Sequence, residues 1–329
     1  MNSRTKANFK TLLIIGGAGY IGSYVNKRLQ QEGYETVVFD NLSRGHRSNV
    51  IRGSFIQGDL ADLSILESVF KQHSFAGILH FGAFTDVGES VKNPYIYYQN
   101  NVVNTLNLLH LAVNYEIKSF VFSSSAAIFG IPVKNLIDEN HPCAPINPYG
   151  RTKWLIEMIL QDFDRAYGLK SCCLRYFNAA GADPEGEIKW HPRKETNLIP
   201  LLLRSLQEPK QEVTLYGSDY PTQDGTCIRD YIHLYDLAEA HIKGLEQLFE
   251  SSTSTAYNLG NGQGFSVKEV IDAVERVTGL PLQIAKGSRR PGDPPILVAN
   301  AMKAKEELEW KPRYPDLDTM IAHAYKVMV

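Results

Sequence analysis

Cysteine is scarce in this chain, with four among 329 residues: Cys143, Cys172, Cys173 and Cys227. No two stand in a C-x-x-C pair. The adjacent Cys172 and Cys173 fall in an expected strand, where neighbours point to opposite faces. They read as reduced structural thiols, which suits a cytoplasmic location. The nine histidines show no H-x-x-x-H spacing and no clustering, so no metal site is expected. Neither sign of charge is in excess: 34 Lys and Arg against 36 Asp and Glu leave a net charge of -2. With no basic tract, no nucleic-acid partner is expected. Long apolar runs are also missing. The start, Met1 to Lys10, is polar, and Leu12-Leu13-Ile14-Ile15 is far too short for a signal-peptide core or a membrane span. No membrane partner is expected. The sequence has no internal repeat and no low-complexity tract.

What is there is an ordinary globular composition, 43% apolar and 21% charged, long enough for about two domains. The first half alternates short apolar runs with helical patterns, the signature of repeated βα units around a parallel sheet. Strands are predicted at Thr11 to Ile15, Thr36 to Phe39, Ser54 to Gln57, Gly77 to Phe81, Lys118 to Ser123 and Ser171 to Tyr176. Helices are predicted at Tyr20 to Glu32, Pro94 to Tyr115 and Tyr149 to Ala166. After Asn178 the elements become shorter and less regular. Leu234 to Phe249 reads as a helix and Ala256 to Leu259 as a strand, both able to return to the first domain. Further helices fit Val267 to Thr278 and Ala301 to Leu308. The expected fold is α/β: a Rossmann-like doubly wound parallel sheet with a smaller mixed α/β substrate domain. Residues 1–177, with 234–259 returning, would bind the dinucleotide; residues 178–329, mainly 178–233 and 260–329, would bind the substrate.

Three features carry the chemistry. A glycine loop, Gly16-Gly-Ala-Gly-Tyr-Ile-Gly22, follows a predicted strand and opens a predicted helix, the context of a dinucleotide-binding fingerprint. Gly16 allows the tight turn, Gly19 the approach of a pyrophosphate, and Gly22 close helix packing, with the helix N-terminus offering free N–H groups to the phosphates. Asp40, at the end of the second strand, can accept both adenosine ribose hydroxyls and repel a 2′-phosphate, which favours NAD. Arg44 and Arg47 read as a solvated loop, and Asp59 suits the adenine amino group. The third feature is Tyr149-Gly-Arg-Thr-Lys153. Residues four apart share a helix face, so the Lys153 ammonium can lie beside the Tyr149 phenol and lower its pKa from roughly 10. That makes a general base usable near neutral pH. The run Ser123-Ser124-Ser125 supplies a hydroxyl to complete a Ser–Tyr–Lys triad.

Together with Val87-Gly-Glu-Ser-Val91, Asn147-Pro-Tyr-Gly150, Leu174-Arg-Tyr-Phe-Asn178, Arg229-Asp-Tyr-Ile-His233, Asp219-Tyr-Pro-Thr-Gln-Asp-Gly-Thr226 and Tyr257-Asn-Leu-Gly260, these motifs resemble the NAD-dependent epimerases of the extended short-chain dehydrogenase/reductase family over essentially the whole chain. The G-x-x-G-x-x-G spacing is the form seen in that family. The resemblance implies epimerisation of a UDP-sugar at C4, UDP-galactose to UDP-glucose and back, through a transient 4-keto sugar with NAD tightly bound. It selects Ser125 from the serine run, with Tyr149 and Lys153, as catalytic, Ser125 and Tyr149 touching the sugar. It implies Tyr20, Ile21, Asn41, Leu60, Phe81, Ala83, Asn100, Ser123 and Tyr176 around NAD, besides Gly16, Gly19, Gly22, Asp40, Asp59, Tyr149 and Lys153. It implies Asn178, Asn197, Leu198, Leu215, Tyr216, Arg229, Tyr231, Val267, Arg290 and Asp293 around the UDP part. Guanidinium groups suit diphosphate oxygens because they bind in a bidentate manner. His233 reads as structural.

Departures from the family pattern are Ala127 and Phe129, where threonine and tyrosine are frequent; Thr85-Asp86, where some relatives bring a lysine to the cofactor; and Leu297, where a tyrosine in some relatives narrows the sugar pocket. Leu297 opens the alternative of a UDP-N-acetylglucosamine or other UDP-sugar substrate. The related 4,6-dehydratases carry an Asp-Glu pair where this chain has Ala126-Ala127, and oxidation to the acid needs an activated cysteine. A non-catalytic NAD-binding scaffold would be expected to lose Tyr149 or Lys153. Finally, the helix from Tyr149 has two apolar rows, Leu155-Ile159-Phe163 and Trp154-Met158. Either it is buried within its own subunit, or with the preceding helix (Tyr97, Tyr98, Val102, Leu106, Leu109) it forms a two-fold homodimer.

Overall fold

The computed structural model describes residues 10–189, 197–207, 212–290 and 293–328; the polar start noted above lies outside them but for Lys10. The chain divides into two compact units. One holds the stretch up to Ser124, Asn147–Leu174 and Ala238–Ala256; the other holds Ser125–Ile146, Arg175–Leu237 and the stretch from Tyr257.

The first unit is built on a seven-stranded sheet of β1 (Thr11–Ile15), β2 (Glu35–Asp40), β3 (Ser54–Gln57), β4 (Phe75–His80), β5 (Ser119–Ser125), β6 (Lys170–Tyr176) and β7 (Thr255–Leu259), in the order β7-β6-β5-β4-β1-β2-β3. The pairs β1–β2, β1–β4, β2–β3 and β4–β5 are all parallel. Leu12 to Ile15 are buried without alternation, as a central strand covered on both faces requires. Helices α1 (Tyr20–Gln31), α2 (Leu63–Gln72), α3 (Asn104–Asn114), α4 (Pro148–Tyr167) and α5 (Leu234–Ser251) supply the covering layers. Leu66, Val69, Leu108, Ile156 and Leu160 meet Phe39, Ile78, Phe120 and Phe122 in one apolar cluster.

Local chemistry sets the helix ends. Asp62 caps α2 by accepting from the Ser64 and Ile65 amides. Asn147 caps α4 by accepting from the Gly150 amide, Pro148 sits in its first turn, and Gly168 at φ 69° ends it, as such residues do. The helix predicted as unbroken from Pro94 is instead interrupted. A helical turn at Pro94–Tyr97 passes into a π-helix, Tyr98–Val103, before α3. The widened turn places Asn101 in the interior, where its amide nitrogen donates to the Phe84 carbonyl and its oxygen accepts from the Phe84 amide.

In the second unit a four-stranded sheet runs in the order Phe265–Ser266, Ile228–Arg229, Ile296–Ala299, Leu136–Ile137. Residues 125–146, expected in the first domain, group here because Leu136 and Ile137 pair with Val298 and Ala299. Two small parallel sheets join Tyr231–His233 to Asn178–Ala180 and Ile284–Gly287 to Val213–Tyr216. Helices Leu198–Gln207, Val267–Thr278 and Leu317–Met328 close the core with Leu202, Leu203, Val270, Val274, Met320 and Ile321.

Candidate active site

The glycine loop turns as β1 ends. Gly16 has φ 74°, and a side chain there would fall 2.6 Å from the Gly82 amide nitrogen. A Cβ on Gly22 would fall on the Gly16 carbonyl oxygen. Gly19 is different. Its φ of -78° is open to any residue, and an added Cβ would meet only the Gly16 carbonyl, at 3.3 Å. Nothing inside the chain demands glycine there. No side chain caps α1 at Gly19, so its first-turn amides face outward with the positive end of the helix dipole. Tyr20 and Ile21 open that helix, partly buried.

Asp40 accepts from the Ala18 amide through Oδ2 at 2.9 Å and from the Leu42 amide through Oδ1 at 2.8 Å. Burial raises its pKa and the two amides oppose that. Each oxygen keeps a lone pair for a hydroxyl donor. Asn41 donates to Asp59 Oδ2 at 2.7 Å, and Asp59 Oδ1 accepts from the Ala61 amide. Buried Leu60 follows in that turn. Phe81, whose amide donates to the Ile15 carbonyl, and Ala83 continue from β4 beside the loop. The residues present therefore fit a dinucleotide: an open glycine at a helix N-terminus that no side chain caps, and a carboxylate at the end of β2. Arg44 is not merely solvated. It pairs with Glu89 at 2.8 Å.

Two strands across from β1, with β4 between, α4 brings Tyr149 and Lys153 to β5. Lys153 is fully buried, donates to the Ser123 carbonyl at 2.7 Å, and lies 4.8 Å from the Phe122 ring centroid and 6.0 Å from that of Tyr149. Burial pulls its pKa down to about 7, and the charge of Glu157 opposes the fall. Asn100, in the π-helix, donates to Asn101 Oδ1 at 2.9 Å. Asn101 donates to Thr152 Oγ1 at 3.1 Å, and Thr152 donates to the Tyr149 carbonyl at 2.7 Å. Thus the widened turn fixes the first turn of α4. Asn101, Thr152 and Glu157 were not singled out from sequence. Glu157 stands four residues past Lys153, on the same helical face, and its burial is what sets it apart from a solvated glutamate.

Other expected site residues lie in the second unit as it is divided here. Ser125 ends β5, and its Oγ accepts from the Ala127 amide at 3.2 Å. Tyr176 ends β6, buried. Asn178 donates through its side chain to the Asp230 carbonyl at 2.8 Å. Arg229 pairs with Asp293 at 3.2 Å and also donates to the Pro294 carbonyl at 2.9 Å, so two residues assigned separately to the ligand hold each other. The Arg290 guanidinium lies 4.1 Å from the Tyr216 ring centroid. Asn197 is exposed just ahead of the helix that Leu198 begins. Leu198, Leu215 and Val267 pack against the core, and Tyr231 is interior, 6.4 Å from Phe265 between ring centroids. Back in the first unit, Asp86 caps the short helix Val87–Lys92 by accepting from the Glu89 amide. His233 is buried and accepts from the Tyr235 amide.

Residues 12–260 match the model of the NAD dependent epimerase/dehydratase family, and the chain belongs to that family. It is 49% identical over 304 residues to the UDP-glucose 4-epimerase of Rhizobium meliloti, covering 92% of each. It is 46% identical over 314 residues to that of Halalkalibacterium halodurans, covering 95% of this chain and 94% of the relative. The crystal structure of UDP-glucose 4-epimerase from Brucella ovis in complex with NAD superposes with a TM-score of 0.94 at 44% identity, covering 96% of this chain and 97% of that one. Among the described residues no helix is long and apolar enough to cross a membrane, and no three His, Cys, Asp or Glu could together hold a metal ion.

Proposed function

We propose that the chain is a UDP-glucose 4-epimerase, interconverting UDP-galactose and UDP-glucose with NAD held through the cycle. The observation that carries the reading is the buried Lys153 ammonium beside the Tyr149 ring, against β5 of the same sheet that bears the open glycine loop and Asp40. NAD, held by the glycine loop and Asp40, would supply a hydride acceptor and donor for C4 of the sugar. Tyr149 removes the 4-hydroxyl proton and later gives it back, with Lys153 stabilising the phenolate and Ser125 bonding the hydroxyl. Asp40 selects NAD by accepting from both ribose hydroxyls. Asn178, Arg229 and Asp293 with Tyr216 and Arg290 hold the UDP part, leaving the 4-keto sugar free to turn.

The experiment couples UDP-galactose conversion to UDP-glucose dehydrogenase and follows NADH at 340 nm, with NAD released by denaturation quantified in parallel. Tyr149→Phe is expected to reduce turnover at least 1,000-fold, about 4 kcal/mol of barrier, with NAD content unchanged. Undiminished turnover sinks the mechanism.

A second substrate is favoured by Leu297, which pairs with Arg229 in the four-stranded sheet and is only partly buried. A leucine there leaves room for an N-acetyl group, so UDP-N-acetylglucosamine is expected to turn over too. A homodimer is supported by Met158, Leu106 and Val103, exposed apolar residues on α4, α3 and the π-helix, although Ile156 and Leu160 show that α4 first serves its own core. Light scattering tests it, and a monomeric mass refutes it. No disulfide joins the four cysteines, which suits a reducing, cytoplasmic setting.

A further inference from the structure

The buried side of α4 carries a third polar group in line with Tyr149 and Lys153. Glu157 lies one turn beyond Lys153, and its side chain is fully buried. Ser124 Oγ donates to Glu157 Oε1, while the carbonyl of the neighbouring Ser123 accepts from Lys153. One helix face therefore grips two consecutive residues of β5, immediately before Ser125. A buried carboxylate is costly unless bonded and paired. Here it is bonded to Ser124 and acts electrostatically on Lys153.

We propose that Glu157 is a positioning residue for the Tyr149–Lys153 pair, its carboxylate, anchored by Ser124, keeping Lys153 protonated and seated against β5. The proposal rests on the function read above and names a residue that function did not use.

The surroundings of Lys153 leave this task to Glu157. From β5 come the Phe122 ring and the Ser123 carbonyl, both uncharged. From β4 comes His80, whose Nε2 lies 2.9 Å from Thr105 Oγ1. Thr105 gives its own hydrogen to the Asn101 carbonyl, so His80 Nε2 donates. Burial holds this imidazole neutral, with its pKa pushed down to about 3. From α4 come Tyr149 and Glu157. Glu157 is the carboxylate that offsets the burial of Lys153, because a negative charge within one helical turn favours the ammonium. A protonated Lys153 is what makes Tyr149 acidic enough to act as a base. Ser124 keeps the carboxylate turned toward the strand.

The test reads Lys153 directly in the full-length purified protein carrying lysine labelled with ¹³C at Cε. The pH titration of the Lys153 signal is assigned by its disappearance in Lys153→Met. Glu157→Gln keeps an acceptor for Ser124 but removes the charge, and its midpoint is expected to fall by about one pH unit. Ser124→Ala keeps the charge and loses only its anchor, and its midpoint is expected to fall by less than that of Glu157→Gln. In the epimerase assay the alkaline limb of kcat for Glu157→Gln is expected to move down in step, with KM unchanged. A Glu157→Gln titration that superposes on the wild type overturns the proposal. Should that variant fail to fold, Glu157→Asp and Glu157→Asn form a second pair of equal size, and equal midpoints in the two overturn it likewise. A wild-type chain without epimerase activity refutes the functional reading instead, and the lysine titration still decides the role of Glu157.

Discussion

The glycine loop separates what the chain needs from what its ligand needs, and two alanine substitutions can tell them apart. Gly19 has φ -78° and ψ 176°, so alanine costs no backbone strain. Its methyl would meet the Gly16 carbonyl at 3.3 Å, a contact that a small shift relieves. Against that stands the loss of glycine's freedom in the unfolded chain, worth about 0.4–1 kcal/mol in favour of alanine. Gly19→Ala is therefore expected to leave the melting temperature of NAD-free protein within about 2 °C of wild type. The same methyl stands where a pyrophosphate must approach the α1 amides. Losing one or two charge-assisted hydrogen bonds, at about 1.5–3 kcal/mol each, weakens NAD binding roughly 100-fold. Gly22→Ala behaves in the opposite way. Its methyl would fall on the Gly16 carbonyl oxygen and 3.0 Å from the Gly17 Cα, both backbone, so α1 must move. Overpacking of that kind costs about 1–3 kcal/mol, a drop of roughly 1.5–4.5 °C for a chain of this length without any ligand. The assay is thermal melting of NAD-stripped protein, with calorimetric titration of NAD into each variant. Wild-type NAD affinity in Gly19→Ala, or a collapse of its NAD-free stability, refutes the assignment of that glycine to the cofactor.

Three further outcomes are expected. Lys153→Met should abolish turnover and flatten the pH dependence of stability, because a lysine lowered from 10.5 to about 7 holds fewer protons folded than unfolded. Wild-type stability then rises with pH between about 7 and 10.4, and that rise should be missing from the variant; melting curves at pH 7 and 10 check both. Arg229→Ala should raise KM for UDP-galactose by roughly 30-fold, about 2 kcal/mol, while NAD content stays unchanged, as initial rates and the cofactor released on denaturation will show. Leu297→Tyr should remove turnover of the N-acetyl sugar and spare UDP-galactose, measured as the ratio of the two kcat/KM values.

How far the fold could be read from sequence depended on whether local chemistry agreed with tertiary packing. Val267–Thr278 was placed to the residue because Ser266 and Glu269 form a capping box and Gly279 ends the helix in the left-handed region. Helix Leu198–Gln207, Leu-Ile-Pro-Leu-Leu-Leu-Arg-Ser-Leu-Gln, was not read as one. It is apolar nearly all round and carries Pro200, tolerable only because it lies in the first turn. The π-turn at Tyr98–Val103 was invisible because a widened turn has no periodicity of its own. It depends on Asn101 finding Phe84 and Thr152, the latter 51 residues away. The Arg229–Asp293 pair spans 64 residues, and no local pattern links them.

The candidate site shows the same division more sharply. Tyr149 and Lys153 were legible because helical spacing puts them on one face, but the same spacing reaches Glu157, and glutamate on a helix reads by default as solvated. Only burial distinguishes it. Around it, Thr152, Lys153 and Ser124 are also fully buried, on a helix whose neighbouring face packs Ile156 and Leu160 into an apolar core. A row of apolar residues there would satisfy the helix with less desolvation and no unpaired risk. The polar row persists because each member answers another: Thr152 bonds the Tyr149 carbonyl, Lys153 the Ser123 carbonyl, and Ser124 the Glu157 carboxylate. A core that departs from the apolar rule at one helix face, and satisfies every group where it does, marks the place where stability has been subordinated to chemistry.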